Sequence, residues 1–221
     1  WQILAITFTN KAAGEMRERV GTLVTERQAK ALTVSTFHAL CARLMREFAD
    51  RAGIKPDFTI YDSDDQKRAI KQAMKELDIN KQNFTPDALK SAISNAKNEL
   101  IDHETYAGQA GDFFERICTK VFTRYEQILK TNNALDFDDL LMETAFLLRR
   151  DSETRQTLQE RFQYLLIDEY QDTNHAQFVI ANHIASGHGN ICVVGDPDQS
   201  IYGWRGANIR NILEFEQHYP Q

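Results

Sequence analysis

Cysteine is scarce in this sequence, and the residues that occur are far apart. The three are Cys41, Cys118 and Cys192. Their odd number, wide spacing and apolar neighbours predict reduced core thiols in a cytosolic protein, not a disulfide framework. The sequence has no CxxC pair and no HExxH segment, which argues against a zinc site.

Long apolar runs and excess positive charge are also missing. No run approaches the length of a membrane span and no signal peptide is recognisable, so we predict a cytoplasmic protein without a membrane partner. Proline (4) and glycine (10) are too few among 221 residues for a low-complexity chain. The net charge of −6 provides no global basic field. Nucleic-acid binding would therefore need a local groove and stacking.

Short β-branched runs alternate with amphipathic helices in the first and last parts of the chain. The runs lie at 3–8, 33–36, 165–167 and 191–194, and the strands at 165–167 and 191–194 are expected to be buried. Between 54 and 135 such runs vanish and helical periodicity dominates. This pattern predicts an α/β fold with a doubly wound parallel sheet. We assign residues 1–55 and 136–221 to it, and 56–135 to an all-α inserted subdomain.

Two of these runs lead directly into acidic loops. Asp168-Glu169 follows the first, and the second runs into a loop with Asp196, Asp198 and Gln199. In a parallel sheet both loops lie at one edge, where they can meet a nucleotide phosphate. One carboxylate can hold hydrated Mg²⁺, and its neighbour can accept a proton from water. An acidic turn without chemistry remains an alternative for each loop.

Aromatic and hydroxyl side chains cluster close to the same strand ends. Tyr202, Trp204 and Arg205 can form a stacking platform for nucleobases, or the two aromatic rings can simply close a core edge. Two further groups stand where a strand passes into a helix N-terminus, which can bind phosphate. These residues are Thr7, Phe8 and Asn10, and Thr36, Phe37 and His38.

Five segments together resemble the motifs of superfamily 1 DNA helicases of the UvrD, PcrA and Rep type. In chain order they are TFTNKAAGEM, STFH, LDFDDLL, LLIDEYQDTN and VVGDPDQSIYGWRGA. The resemblance implies a RecA-like motor domain of the P-loop NTPase type, with ATP and Mg²⁺ as cofactors. It implies movement from 3′ to 5′ on single-stranded DNA, unwinding at duplex junctions, and repair or replication proteins as candidate partners.

The resemblance also implies a role for each motif residue. Asp168 would coordinate magnesium, Glu169 would activate the hydrolytic water, and Gln199 would sense the γ-phosphate. Arg205 would help couple the nucleotide site to the DNA. The residues implied on the DNA path are Thr7, Phe8, Asn10, Thr36, Phe37, His38, Tyr202, Trp204 and Arg205.

The sequence departs from the family pattern in two ways. It contains no GxxxxGK(S/T) phosphate loop, which we expect upstream of Trp1, and no second motor domain. We therefore expect these residues to be part of a helicase and to be inactive by themselves. One alternative is a metal-dependent nuclease that uses Asp168, Glu169, Asp196 and Asp198. Another is a non-catalytic DNA-binding module with a motor-like fold.

Overall fold

The computed structural model describes residues 2–80, 82–200 and 207–219. Within these ranges the chain alternates between strands and helices. The strands are β1 (Ile3–Thr7), β2 (Thr33–Thr36), β3 (Thr59–Tyr61), β4 (Ala134–Asp136), β5 (Tyr164–Ile167) and β6 (Ile191–Val193). The helices are α1 (Asn10–Leu23), α2 (Glu26–Ala31), α3 (Phe37–Glu47), α4 (Ala49–Ala52), α5 (Ser63–Glu76), α6 (Pro86–Asn98), α7 (His103–Gln109), α8 (Phe113–Thr131), α9 (Phe137–Arg150), α10 (Ser152–Arg161), α11 (His175–Ala185), α12 (Arg210–Leu213) and α13 (Phe215–His218).

Four strands form a parallel sheet in the order β2-β1-β5-β6. Non-consecutive neighbours in this order require helical crossovers, which is the arrangement predicted for an α/β fold with helices between strands. The parallel α/β architecture is therefore confirmed. Because all four strands run the same way, their carboxyl ends and the loops that follow share one edge.

The two faces of this sheet are covered unequally. On one face Leu4, Ile6, Leu165 and Ile167 belong to the main hydrophobic cluster, which also contains residues of α3, α9 and α11. On the other face, helix α1 packs against β1 and β2. The face with Leu4, Ile6, Leu165 and Ile167 therefore carries most of the buried apolar side chains of the sheet.

One row of paired residues shows how far α1 covers its face of the sheet. It runs across the sheet through Val34, Ala5, Leu166 and Cys192. Val34 and Ala5 pack with α1, whereas Leu166 is 41% exposed and Cys192 is exposed. The prediction of a buried strand at 165–167 therefore holds for Leu165 and Ile167 but not for Leu166. The predictions of a buried strand at 191–194 and of a core thiol at Cys192 are wrong, because α1 covers only the β1–β2 half of this face.

Capping side chains set several helix starts. Thr9 Oγ1 accepts the Ala12 N–H, and Thr85 with Pro86 begins α6. Asp62 and Asn174 each form a capping box with the residue three positions later. These contacts satisfy backbone N–H groups that have no partner within the helix.

The helices between β3 and β4, the helical segment, have a core of their own. Its buried residues come from α5, α6 and α8 together with Ala134. Two short strands that the sequence did not indicate, β3 and β4, bracket the segment and pair in parallel. The segment is thus helical between two strands, and the domain limits 1–55, 56–135 and 136–221 stay a prediction. No helix of the described residues is long and apolar enough to cross a membrane.

Candidate functional site

The loop after β5 carries two adjacent carboxylates at the carboxyl edge of the sheet. Asp168 extends the strand by donating its N–H to the Ile6 carbonyl at 2.9 Å, and its Oδ1 accepts the Glu169 N–H at 3.0 Å. Glu169 has a φ of +53°, a left-handed conformation that costs a non-glycine residue roughly 1–2 kcal/mol. Strain of this kind is typical of functional loops.

The loop after β6 lies directly beside the first loop. The Val194 N–H donates to the Ile167 carbonyl at 2.8 Å, and the Tyr170 N–H donates to the Val194 carbonyl at 2.9 Å. Asp196 then caps a 3₁₀ turn that ends at Gln199. Its Oδ1 accepts the Asp198 N–H at 3.0 Å, and its Oδ2 accepts the Gln199 side-chain amide at 2.8 Å.

Gln171 joins the two loops through its side chain. The side chain is 1% exposed. Its Nε2 donates to Glu169 Oε2 at 2.7 Å, and its Oε1 accepts the Asp196 N–H at 3.1 Å. Asp168, Glu169 and Gln199 are therefore brought to one connected edge of the sheet, and a buried amide that the sequence analysis did not assign connects them.

A groove of about 530 Å³ opens near the same edge, beyond β1 and β2. Four of the residues implied on the DNA path line it: Thr7, Phe8, Phe37 and His38. Two others are placed differently. Thr36 Oγ1 caps α3 by accepting the Ala39 N–H at 3.2 Å, and Asn10 is the exposed first residue of α1.

Helices α5 and α6 form the opposite wall of this groove. The wall is polar, with hydroxyl and amide side chains that include Ser91, Ser94 and Asn95. Lys90 is the only lysine or arginine among the described residues that line the groove, and its Nζ donates to the Ser63 carbonyl at 3.4 Å. The helical segment thus supplies one side of a groove whose other side comes from the strand ends.

The start of α9 supplies an aromatic ring and a carboxyl group to the groove. Phe137 is 44% exposed, and its ring meets His38 edge-on with centroids 5.7 Å apart. Burial, together with the negative charge of Asp136, raises the pKa of Asp138 to about 6. Burial lowers the pKa of His38, which favours a neutral imidazole beside the aromatic ring.

The acidic loop itself also reaches the groove. Asp172 and Asn174 line it, and Asn174 Nδ2 donates to Asn98 Oδ1 on α6 at 2.6 Å. Asp172 is buried, and its Oδ1 has no hydrogen-bond partner among the described residues. Burial, and after it the charge of Glu169, raises the pKa of Asp172. The continuous loop 168–174 therefore bears the two carboxylates at the edge of the sheet and also lines the groove.

Comparison with known proteins assigns the family. A profile described as "UvrD/REP helicase N-terminal domain" matches residues 1–220. This chain belongs to the UvrD/REP helicase family. The ATP-dependent DNA helicase PcrA of Staphylococcus epidermidis is 50% identical over 221 residues, which is 100% of this chain and 30% of that protein. PcrA of Staphylococcus aureus is 49% identical with the same coverage. The chain thus spans 30% of the length of the curated relatives it matches.

Sequence reasoning missed several residues of this UvrD/REP family chain that the structure places at the two sites. Phe137 and Asp138 belong to the LDFDDLL segment but received no role, and Gln171 is part of LLIDEYQDTN. Their position within quoted motifs was the signal that could have singled them out. Asn98 lies in no quoted motif, and only the tertiary structure brings it to Asn174 and Asp138.

The predicted aromatic platform and the predicted magnesium ion remain to be placed. The aromatic platform of Tyr202, Trp204 and Arg205 lies outside the described residues. For magnesium, no three His, Cys, Asp or Glu residues of the described chain converge as metal ligands. Asp168 fits the simpler pattern of one carboxylate with waters and phosphate oxygens, because its Oδ2 accepts no hydrogen bond from the described part of the chain.

Proposed function

We propose that the complete protein containing this chain is an ATP-dependent DNA helicase that moves from 3′ to 5′ on single-stranded DNA. The relatives named ATP-dependent DNA helicase PcrA support this activity, as does membership of the family. Duplex junctions are the proposed substrates for unwinding, and repair or replication proteins are the proposed partners.

The carboxyl edge of the sheet provides the nucleotide-site groups. Asp168 would hold Mg²⁺, which neutralises charge on the phosphate oxygens when it is bound. Glu169 accepts the proton of the attacking water, and Gln199 contacts the terminal phosphate through an uncharged amide. Phosphoryl transfer depends chiefly on such positioning and charge stabilisation.

The groove between the strand ends and the helical segment is the proposed path of single-stranded DNA. Phe8 and Phe137 offer ring surfaces for base stacking. Phe37 also lines the groove, but it is 4% exposed and belongs to the main hydrophobic cluster. Lys90 and the surrounding hydroxyl groups offer donors to phosphate oxygens. By resemblance, Tyr202, Trp204 and Arg205 extend this path.

The observation that carries the proposal is the loop 168–174. It bears the two carboxylates at one end, while Asp172 and Asn174 line the groove at the other. A helicase must couple ATP hydrolysis to DNA binding, and this loop contributes residues to both proposed sites. The nuclease alternative leaves Gln199 without a role. In addition, both oxygens of Asp196 already accept hydrogen bonds within their own turn.

Glu169→Gln in the complete protein tests the proposal. The change removes the proton acceptor but keeps the size and the oxygen that faces Gln171. We expect ATP binding to persist while DNA-stimulated hydrolysis falls by at least about 100-fold. Steady-state turnover and nucleotide binding check this, with Glu18→Gln on the exposed surface of α1 as control. Equal loss of binding and turnover would contradict the role of Glu169.

Two further measurements address direction and the isolated chain. Unwinding of a partial duplex with a 3′ single-stranded tail, but not a 5′ tail, is expected. Residues 1–221 alone are expected not to hydrolyse ATP, because they contain no GxxxxGK(S/T) loop. Turnover by these residues that disappears with Glu169→Gln would contradict that expectation.

A further inference from the structure

Gln171 occupies a position where only one orientation of its amide satisfies both neighbours. Gln171 Nε2 lies 2.7 Å from Oε2 of Glu169, a carboxylate oxygen that accepts hydrogen bonds. Gln171 Oε1 lies 3.1 Å from the Asp196 nitrogen, whose N–H can only donate. The side chain therefore needs a donor and an acceptor at once. A buried amide with both partners in place is held in one rotamer and fixes what it contacts.

The contacts continue beyond Gln171 to the group proposed to meet the phosphate. Asp196, whose N–H binds Gln171, accepts the Gln199 amide at 2.8 Å through Oδ2. The Gln199 N–H also donates to the Asp196 carbonyl at 3.0 Å. An unbroken series of hydrogen-bonded residues thus runs from Glu169 through Gln171 and Asp196 to Gln199.

The backbone leaves space for this amide at Gly195. A Cβ atom at Gly195 would collide with Gln171 Oε1 and would lie 3.1 Å from the Tyr170 nitrogen. The need for glycine here is steric, because a side chain at 195 would displace the Gln171 amide from the Asp196 N–H. Both loops are therefore shaped around the Gln171 side chain.

We propose that Gln171 is a positioning residue that couples the phosphate contact at Gln199 to the orientation of Glu169. This inference rests on the roles given to Glu169 and Gln199 in the proposed function. Gln171 engages Oε2 of Glu169 and leaves Oε1 to accept the proton from water. A phosphate that draws the Gln199 amide alters the Asp196 turn, and Gln171 transmits the change because it is bonded to both loops.

Gln171→Leu in the complete protein removes both hydrogen bonds and keeps similar volume. We expect kcat for DNA-stimulated ATP hydrolysis to fall about 10- to 100-fold, by analogy with the loss of residues that orient metal ligands. The KM for ATP should stay within about threefold, since the change alters orientation and not nucleotide contacts. An unchanged kcat, or a KM for ATP that rises well beyond threefold, would overturn the inference.

Gln171→Glu adds a readout that a purely structural role would not produce. The introduced carboxylate faces Glu169 and repels it, so kcat should fall at neutral pH. Once protonated, that carboxyl again donates a hydrogen bond to Glu169. The deficit relative to the unmodified protein should therefore shrink as the pH falls from about 8 to about 6, because burial beside a like charge raises a carboxyl pKa. A deficit independent of pH would count against the proposal.

Gln159→Leu is the matched control. Gln159 also makes two side-chain hydrogen bonds, to the His183 carbonyl at 2.8 Å and Ser186 Oγ at 3.1 Å, and these join α10 to α11. It should leave kcat and KM unchanged, and thermal unfolding of all variants separates lost folding from lost positioning. If Glu169→Gln retains hydrolysis, the proposed function fails. If Glu169→Gln abolishes it and Gln171→Leu keeps full kcat, only the inference about Gln171 fails.

Discussion

Individual side chains of the groove combine apolar rings with buried acids. Phe137 presents a partly exposed ring next to His38, and Asp138 beside it has a pKa raised to about 6 by burial and the nearby Asp136 charge. With this pKa the Asp138 carboxyl is still mostly ionised at neutral pH and takes up its proton only as the pH falls towards 6.

Phe137→Ala tests whether bases stack at this position. We expect the affinity for a single-stranded oligonucleotide to fall by about 1–3 kcal/mol, the usual effect of removing one stacking ring. Fluorescence anisotropy at fixed salt measures it in the complete protein. Phe113→Ala is the control, because Phe113 is an exposed phenylalanine that packs near Phe84 in the helical segment, away from the groove-lining residues. Equal affinity losses in the two variants would contradict a specific role for Phe137.

The residues that sequence reasoning found and those it missed differ in how local their signal is. Asp168 and Glu169 follow their strand directly in the sequence, so a local pattern was enough to single them out. The pairing of Asn98 with Asn174 spans 76 residues, and no local pattern encodes it. The exposure of Leu166 likewise depends on how far α1 extends over the sheet, which alternation along a strand does not show.

At the scale of elements, α6 is attached to the start of α9 by a buried cation. Lys97 is 0% exposed, and its Nζ lies 2.9 Å from Asp136 Oδ2, 2.6 Å from Asp139 Oδ1 and 2.7 Å from Glu126 Oε1. Burial alone would lower the pKa of Lys97, but the surrounding carboxylates outweigh it and raise the pKa well above its usual value. The ammonium group therefore stays charged at physiological pH.

Lys97→Met should destabilise the fold strongly. The change leaves Asp136 and Asp139 buried without their cation, and breaking a buried ion pair in this way costs about 3–5 kcal/mol. Urea unfolding of the complete protein measures this loss in the free energy of unfolding. Lys67→Met is the control, since Lys67 forms an exposed pair with Asp87 at 2.8 Å. Exposed pairs contribute about 0–1 kcal/mol. Similar losses for both variants would refute the importance of the buried cluster.

Across the whole molecule, two hydrophobic clusters meet at the groove. One contains the sheet with α3, α9 and α11, and the other contains α5, α6 and α8. Polar contacts connect them, including Asn174 with Asn98 and Lys97 with Asp136. Separate apolar cores joined by polar contacts are typical of units that open independently. A groove between such units can change width without disrupting either core.

Matched substitutions in the two clusters test this independence and the proposed boundaries at 56 and 135. Ile70 and Ile180 are 1% and 0% exposed and lie in the helical and sheet clusters, respectively. Each Ile→Val change should cost about 0.5–1.5 kcal/mol. Hydrogen exchange should show that Ile70→Val accelerates opening of α5, α6 and α8 but leaves β1, β5 and α11 unchanged, while Ile180→Val does the reverse. Uniform acceleration by both variants would show one cooperative unit instead.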